Sequence, residues 1–128
     1  MLEELLRDLT NEEDIIAAIS NGNAVAEVAI SNLPIKVSEE WIRVGIEGES
    51  HIHIKKNAIR FVQFLREVKS NNRMSFSIRL LDANKERILA IYFVKMYDGE
   101  QLKRERVERY EDIFKRYGSR DIIDLVDR

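Results

Sequence analysis

The stretch MSFSIRLLDANKERILAIYFVKM, residues 74–96, contains two runs typical of β-strands with a short polar connection between them. The runs MSFSIRLLD (74–82) and ILAIYFVKM (88–96) are rich in β-branched and aromatic residues, and residues 83–87 suit a hairpin loop. The second run is apolar at nearly every position, which is typical of a strand in the middle of a sheet. The sequence therefore predicts an antiparallel sheet built around this hairpin.

Further strands are predicted on the N-terminal side of the hairpin. The run AVAEVAI (24–30) is short and rich in β-branched residues. In WIRVGIEG (41–48), apolar and polar residues alternate, which is typical of a strand with one solvent-exposed face. Pro34 suits an edge or a turn, because proline has no backbone donor. HIHI (51–54) begins the next strand after a turn. Residues 57–68 fit either a helix stripe or one face of a strand, and periodicity alone leaves both open.

Helices are predicted at both ends of the chain. Leucine spacing predicts a helix over residues 2–9. The sequence Thr10-Asn11-Glu12-Glu13 is typical of a capping box and predicts a second helix, which Asn21-Gly22 ends. Residues 100–117 predict a third helix, and the apolar run after Ser119 predicts a short last helix that docks on the domain or on a partner. The apolar residues of these two short helices are Ile15, Ile16, Ala18 and Ile19, and Ile122, Ile123, Leu125 and Val126. This order predicts an α+β fold, an antiparallel β-sheet of about six strands flanked by N-terminal and C-terminal helices.

Length and composition limit the classes of protein that fit. A chain of 128 residues predicts one domain, 1–128, large enough to bury a core. There is no cysteine, so thiol catalysis and zinc-thiolate sites are excluded, and a reducing compartment is favoured. The net charge is −2 with both signs interspersed, which argues against nucleic-acid binding. No apolar run approaches a membrane span, and the acidic N-terminus does not resemble a signal peptide, so we expect a cytoplasmic protein with no membrane partner.

The two histidines of the chain, His51 and His53, are two residues apart. On a strand such residues point to the same face, so the pair could share a metal ion. A transition-metal site would require a third ligand, such as Glu47 or Glu49. Pairs with this spacing are common by chance, so the sequence predicts a strand that carries two imidazoles and no metal site.

The stretch from HIHI onward resembles the haem-utilisation superfamily, the HemS and ChuX/HutX-like proteins. That family has a strand N-L-H-L, a short turn, a strand I-x-x-V-W-V-V-R-K-P, a hairpin like S-L-E-L-F-D-x-x-G-x-x-I and an end like F-F-G-K-R. The matching positions cover residues 41–118 and place His53 on the strand histidine of the family, Arg66 on its arginine and Lys95 on its lysine. The resemblance implies a turn at 55–58 and then a strand from about Ile59 to Glu67. It also implies a half repeat that pairs as a homodimer.

The resemblance implies a cofactor as well, and this sequence departs from the pattern where the cofactor binds. In the two-lobed relatives the histidine that ligates haem iron follows L-T-D, and here Glu13 stands at that position, where a carboxylate replaces imidazole poorly. Met96 replaces the arginine that follows the family lysine.

Two functions therefore stay open. The first is a non-enzymatic haem or tetrapyrrole binding protein, with His53 or His51 on iron and with Arg66, Lys95 and Arg79 on the propionates. The second is a haem-independent module, for a small hydrophobic ligand or a protein partner, that has lost the axial ligand. No phosphate loop, nucleophile elbow or clustered acid–base set indicates an enzyme, and haem degradation is an analogy only.

Overall fold

The computed structural model describes residues 1–126; Asp127 and Arg128, the end of the predicted domain, lie outside the described residues. The helices are α1 (Leu2–Thr10) and α2 (Arg104–Arg116). The strands are β1 (Ile15–Ser20), β2 (Val25–Ala29), β3 (Ile35–Val37), β4 (Trp41–Gly45), β5 (His51–Lys55), β6 (Phe61–Val68), β7 (Met74–Leu81), β8 (Arg87–Phe93), β9 (Tyr97–Asp98), β10 (Gln101–Leu102) and β11 (Ile122–Asp124).

A six-stranded antiparallel sheet in the order β11-β6-β7-β8-β1-β2 forms the body of the molecule. The predicted hairpin is confirmed as β7 and β8, which occupy the two central positions. Asp82 shapes its turn, because its Oδ1 accepts from the backbone N–H groups of Asn84 and Glu86, each at 2.9 Å. Strands β3, β4 and β5 form a separate three-stranded sheet, and β9 pairs with β10.

The two faces of the six-stranded sheet differ. One face, the core face, buries side chains such as Phe64, Ile78 and Ile91. Helix α2 packs on it through Tyr110, whose ring lies 6.0 Å from Phe64, 5.3 Å from Phe76 and 5.2 Å from Phe93. Burial in this aromatic cluster raises the pKa of Tyr110, and its hydroxyl donates to the Ser77 carbonyl at 2.8 Å.

Helix α1 contributes to the same core. Its buried leucines belong to one cluster with the inner side chains of both larger sheets; they are Leu2, Leu5, Leu6 and Leu9. Asp8 near its end accepts from the Tyr117 hydroxyl and pairs with Arg116 at 3.0 Å, which ties α1 to the end of α2. The opposite face of the sheet carries no helix among residues 1–126, and we call it the open face. One cross-strand row of that face is Ile122, Gln63, Arg79, Ala90, Ala18 and Glu27.

The second helix predicted over residues 10–20 is wrong, because residues 15–20 form strand β1. This strand pairs with β8 on one side and β2 on the other. Thr10 is the last residue of α1, and its hydroxyl donates to the Arg7 carbonyl at 3.1 Å instead of capping a new helix. The ladder on both sides of β1 outweighs the mild helix preference of its alanines.

The last short helix predicted after Ser119 is also wrong. Residues 122–124 form β11, which pairs with the edge of β6. Ile123 faces the core and is buried, while Asp124 accepts from Arg60 at 2.7 and 2.9 Å. The unpaired edge of β6 offers more hydrogen bonds to this segment than one turn of helix would.

The remaining assignments follow the sequence closely. The ambiguous stretch is strand β6, as the resemblance implied, and a 3-10 turn at Lys56–Ala58 precedes it. The long helix begins at Arg104 instead of residue 100, because residues 101–102 pair with residues 97–98. The α+β fold with a six-stranded antiparallel sheet is confirmed. None of the helices within residues 1–126 has the length and apolar character needed to cross a bilayer.

A candidate binding groove on the open face

A groove of about 510 Å³ runs along the open face over β8. Its floor includes small and apolar side chains, such as Ala18 of β1 and Val94, which directly follows β8. The turn between β6 and β7 closes one end, together with the segment that follows β8. Side chains of β2 line the other end. An apolar floor with a few polar groups is the usual form of a small-molecule site.

The charge around the groove is mostly positive. The cationic side chains that line it are Lys69, Arg73, Arg87 and Lys95, against a single acidic residue, Glu27. Lys95 is 72% exposed and lies 3.3 Å from the Asp14 carboxylate. Arg73 donates to the Gly99 carbonyl at 2.6 Å and lies over the Tyr97 ring at 4.7 Å. The groove therefore combines apolar surface with cations suited to carboxylates.

Two tyrosines place hydroxyl groups in the groove. The Tyr97 hydroxyl accepts from the Met74 backbone N–H at 2.8 Å, which fixes the ring beside Arg73. The Tyr92 side chain projects from near the end of β8, and its hydroxyl lies 3.4 Å from Arg87 Nη1. Both tyrosines line the groove, and these contacts fix the position of each ring.

The predicted site residues are distributed over three places. Lys95 lines the groove. Arg79 lies on the open face and pairs with Glu67 at 3.2 Å. The hydrogen bond from Lys69 holds the pKa of Glu67 below its ordinary value, with smaller contributions from the charges of Lys69 and Arg79.

Arg66 lies on the core side of β6. Its guanidinium stacks over the rings of Phe76 and Tyr110 at 5.7 and 5.4 Å and lies 3.4 Å from Glu111. Because side chains alternate along a strand, Arg66 and Arg79 belong to opposite faces of the six-stranded sheet. Arg66 is thus not part of the groove.

His51 and His53 lie on β5 in the three-stranded sheet. Their ring centroids are 4.9 Å apart, and the Trp41 ring lies 6.4 Å from His53. Glu13, at the position of the family's axial histidine, is exposed in the turn between α1 and β1. The described lining of the groove includes no histidine. Within residues 1–126, no group of three or more histidine, aspartate or glutamate side chains is arranged to hold a metal ion.

Sequence reasoning found Lys95 but missed Arg73, Arg87 and the two tyrosines. Alternation along the predicted strand 88–96 could have placed Tyr92 and Val94 on one face. The approach of Arg73 to Tyr97 depends on the antiparallel pairing of β7 with β8, which brings the ends of distant segments together.

The antiparallel sheet thus carries, on its open face, a groove that combines apolar surface with a mostly cationic lining. A family model matches residues 3–118 of this chain, and the solved structures similar to it include the heme-binding proteins ChuX and PhuS. The chain belongs to the haem-utilisation superfamily, the HemS and ChuX/HutX-like proteins.

Three of the similar structures show how much of the fold is shared. ChuX superposes with a TM-score of 0.77 at 12% identity, over 93% of this chain and 73% of that chain. PhuS, a heme-binding protein from Pseudomonas aeruginosa, gives 0.64 at 18% identity, over 86% of this chain and 31% of that one. ChuS, an Escherichia coli heme oxygenase, superposes with a TM-score of 0.63 at 12% identity, over 88% of this chain and 34% of that chain. No curated protein matches the sequence. The chain thus spans about three quarters of ChuX and a third of the other two.

Proposed function

We propose that this protein is a non-enzymatic, cytoplasmic binding protein that carries a tetrapyrrole in the groove on the open face. The observation that carries the proposal is the joint presence of an apolar sheet surface and cationic side chains in the lining of one groove. A tetrapyrrole with propionates has the same two-sided chemistry, since it is a flat apolar ring with anionic carboxylates. The heme-binding proteins ChuX and PhuS share the fold, which supports the choice of ligand.

The carboxylates have specific partners in this proposal. Lys95 and Arg73 lie at the same end of the groove, and both keep donors that can turn toward an anion. Hydrogen bonds between cationic side chains and carboxylates contribute roughly 1.5–3 kcal/mol each. The ring of the ligand would lie along β8 toward Tyr92.

The groove fits the carboxylates and the ring better than it fits the iron. Its protein ligands for iron would be tyrosine hydroxyls or methionine sulfur, because the histidines belong to the other sheet. Haem chemistry in proteins depends on its axial ligands. We therefore expect recognition through the carboxylates, with iron-free porphyrin bound about as tightly as haem. This also supports a carrier instead of an oxygenase, although ChuS has the same fold.

The test is a spectroscopic titration of the purified, untagged protein with hemin and with protoporphyrin IX. We expect dissociation constants within about threefold of each other, since the groove makes no use of the iron. The double variant Arg73→Ala/Lys95→Ala should weaken both at least about tenfold, which corresponds to 1.4 kcal/mol.

The control variants separate the groove from the histidines. Lys36→Ala/Lys55→Ala removes the same charge from the three-stranded sheet and should change neither affinity. His53→Ala should also leave hemin binding unchanged. Loss of the Soret shift in His53→Ala, with no effect of the groove variant, would instead assign the iron to His53 as the family resemblance implied. If neither porphyrin changes the spectrum, tetrapyrrole binding is excluded, and the haem-independent binding module is the function that remains.

A further inference from the structure

The two histidines form an arrangement that the proposed groove does not use. His51 and His53 alternate with Ile52 and Ile54 along β5, and the isoleucines point into the core. The imidazoles therefore share the outer face of the three-stranded sheet, where their rings meet edge to face.

The orientation of His51 is fixed by the backbone. Its Nδ1 lies 2.6 Å from the carbonyl oxygen of Glu49. A carbonyl oxygen can only accept, so Nδ1 carries the proton and Nε2 of the neutral ring keeps its lone pair. This is the same outer contact that orients the histidine ligands of metal sites.

We propose that His51 and His53 together bind one divalent transition-metal ion through their imidazole nitrogens, with water completing the coordination. Imidazole suits Cu²⁺, Ni²⁺ and Zn²⁺, and a given nitrogen site prefers Cu²⁺ among them. The chain has two histidines and no cysteine, so this pair contains every imidazole and thiolate ligand available. Two protein ligands make a weaker site than the three or four of a dedicated zinc centre.

The charges around the pair reduce the affinity without preventing binding. Arg43 is the cross-strand partner of His53, and Lys36 follows in the same row. The Arg43 guanidinium is turned away, because Nε donates to the Gly45 carbonyl at 3.1 Å and Nη1 lies 3.6 Å from Glu47. Lys55 is exposed at the end of the strand. The acidic side chains of the adjoining turn, Glu47 and Glu49, offset part of this positive charge.

Trp41 makes the site directly observable. It is the only tryptophan of the chain, and its ring lies 6.4 Å from that of His53. A paramagnetic ion held by the imidazoles would lie close enough to quench the indole fluorescence. Emission therefore reports on this sheet and on no other part of the molecule.

The experiment titrates untagged protein with CuCl₂, NiCl₂ and MgCl₂ while Trp41 emission is followed. We expect saturable one-to-one quenching by Cu²⁺, weaker binding of Ni²⁺ and none of Mg²⁺, with recovery on adding EDTA. His51→Ala and His53→Ala should each weaken Cu²⁺ binding about tenfold or more. Unfolding midpoints of both variants, measured alongside, show whether the fold stays intact.

Two results would overturn the proposal. One is quenching that keeps its affinity in both histidine variants, and the other is the absence of saturable quenching in the wild type. The Arg73→Ala/Lys95→Ala variant should bind Cu²⁺ normally, because its changes lie in the groove. Failure of tetrapyrrole binding and failure of metal binding are thus separate outcomes.

Discussion

Glu12 and Arg109 form a contact that joins the turn after α1 to helix α2. Glu12 is only 6% exposed, and its carboxylate accepts from Arg109 Nε at 2.8 Å and from Nη2. The hydrogen bond and the negative charge of Glu12 raise the pKa of Arg109. Arg106, one helical turn earlier, donates to the carbonyls of Asp14 and Val94 at 3.1 and 3.0 Å. Helix α2 therefore holds the turn that leads into β1.

We expect Glu12→Gln to destabilise the protein by about 1–3 kcal/mol, because the neutral amide leaves the Arg109 fork partly unpaired beside a buried site. The exposed Arg109 can recover some hydration, which keeps the loss below that of a fully buried pair. The neighbouring substitution Glu13→Gln, at an exposed position, should stay within about 0.5 kcal/mol. Urea denaturation of the three proteins measures both effects. Equal losses at the two positions would contradict the role given to Glu12.

The roles of these glutamates could not be predicted from the local sequence. The Thr10-x-x-Glu13 spacing matches a capping box, and that pattern assigns the function to Glu13. The contact that matters joins Glu12 to a residue 97 positions away, so no window around residue 12 contains it. The periodicity of a sequence does not show which residues pair with each other in the tertiary structure.

At the scale of elements, the sequence predicts long patterned segments and fails for short ones. Strands β7 and β8 and helix α2 were predictable because their patterns extend over seven residues or more. The short apolar segments 15–20 and 122–124 fit a helix as well as a strand. In the structure, the free edges of β8 and β6 decide in favour of strands.

The hairpin between β4 and β5 depends on Gly45. This residue has φ +114°, a region that favours glycine, and it lies opposite His51 in the ladder. A Cβ added there would lie 2.5 Å from the Ser50 carbonyl oxygen and 2.8 Å from the His51 Cα. Gly48, in the turn itself, has φ +89° but no atom within 4 Å of an added Cβ. Both glycines have a positive φ, but only at Gly45 would a side chain also overlap neighbouring atoms. Comparing the two positions therefore distinguishes the cost of the backbone conformation from the cost of the steric overlap.

We expect Gly48→Ala to cost about 1 kcal/mol, which is the usual penalty for a side chain in the left-handed region. Gly45→Ala should cost at least about 2 kcal/mol, because overlap with backbone atoms adds to that penalty. Chemical denaturation of the two variants gives the comparison. Similar values for both would show that β5 can move away from β4 at little cost.

At the scale of the whole molecule, the open face connects the fold to the proposed function. Lys95 was predicted as a site residue because the family motif extends to it. Arg73 and Arg87 come from a turn and a strand end that meet only after the sheet forms. The same face has exposed apolar side chains at both margins, with Val25 on β2 63% exposed and Ile122 on β11 38% exposed. Exposed apolar side chains at both margins of an uncovered sheet are typical of an interaction surface.

The family resemblance implies a homodimer, and we propose that its two copies associate through their open faces, so that the grooves meet in a shared cleft. Sedimentation equilibrium should then give twice the 15.0 kDa mass of one chain. Val25→Lys/Ile122→Lys should shift the mass toward a single chain, because two charges would be buried without partners in the interface. The matched control is Trp41→Lys/Ile46→Lys, at positions 41% and 45% exposed outside the six-stranded sheet, which should remain dimeric. A monomeric wild type would exclude the pairing, and dissociation of the control alone would place the interface on the three-stranded sheet.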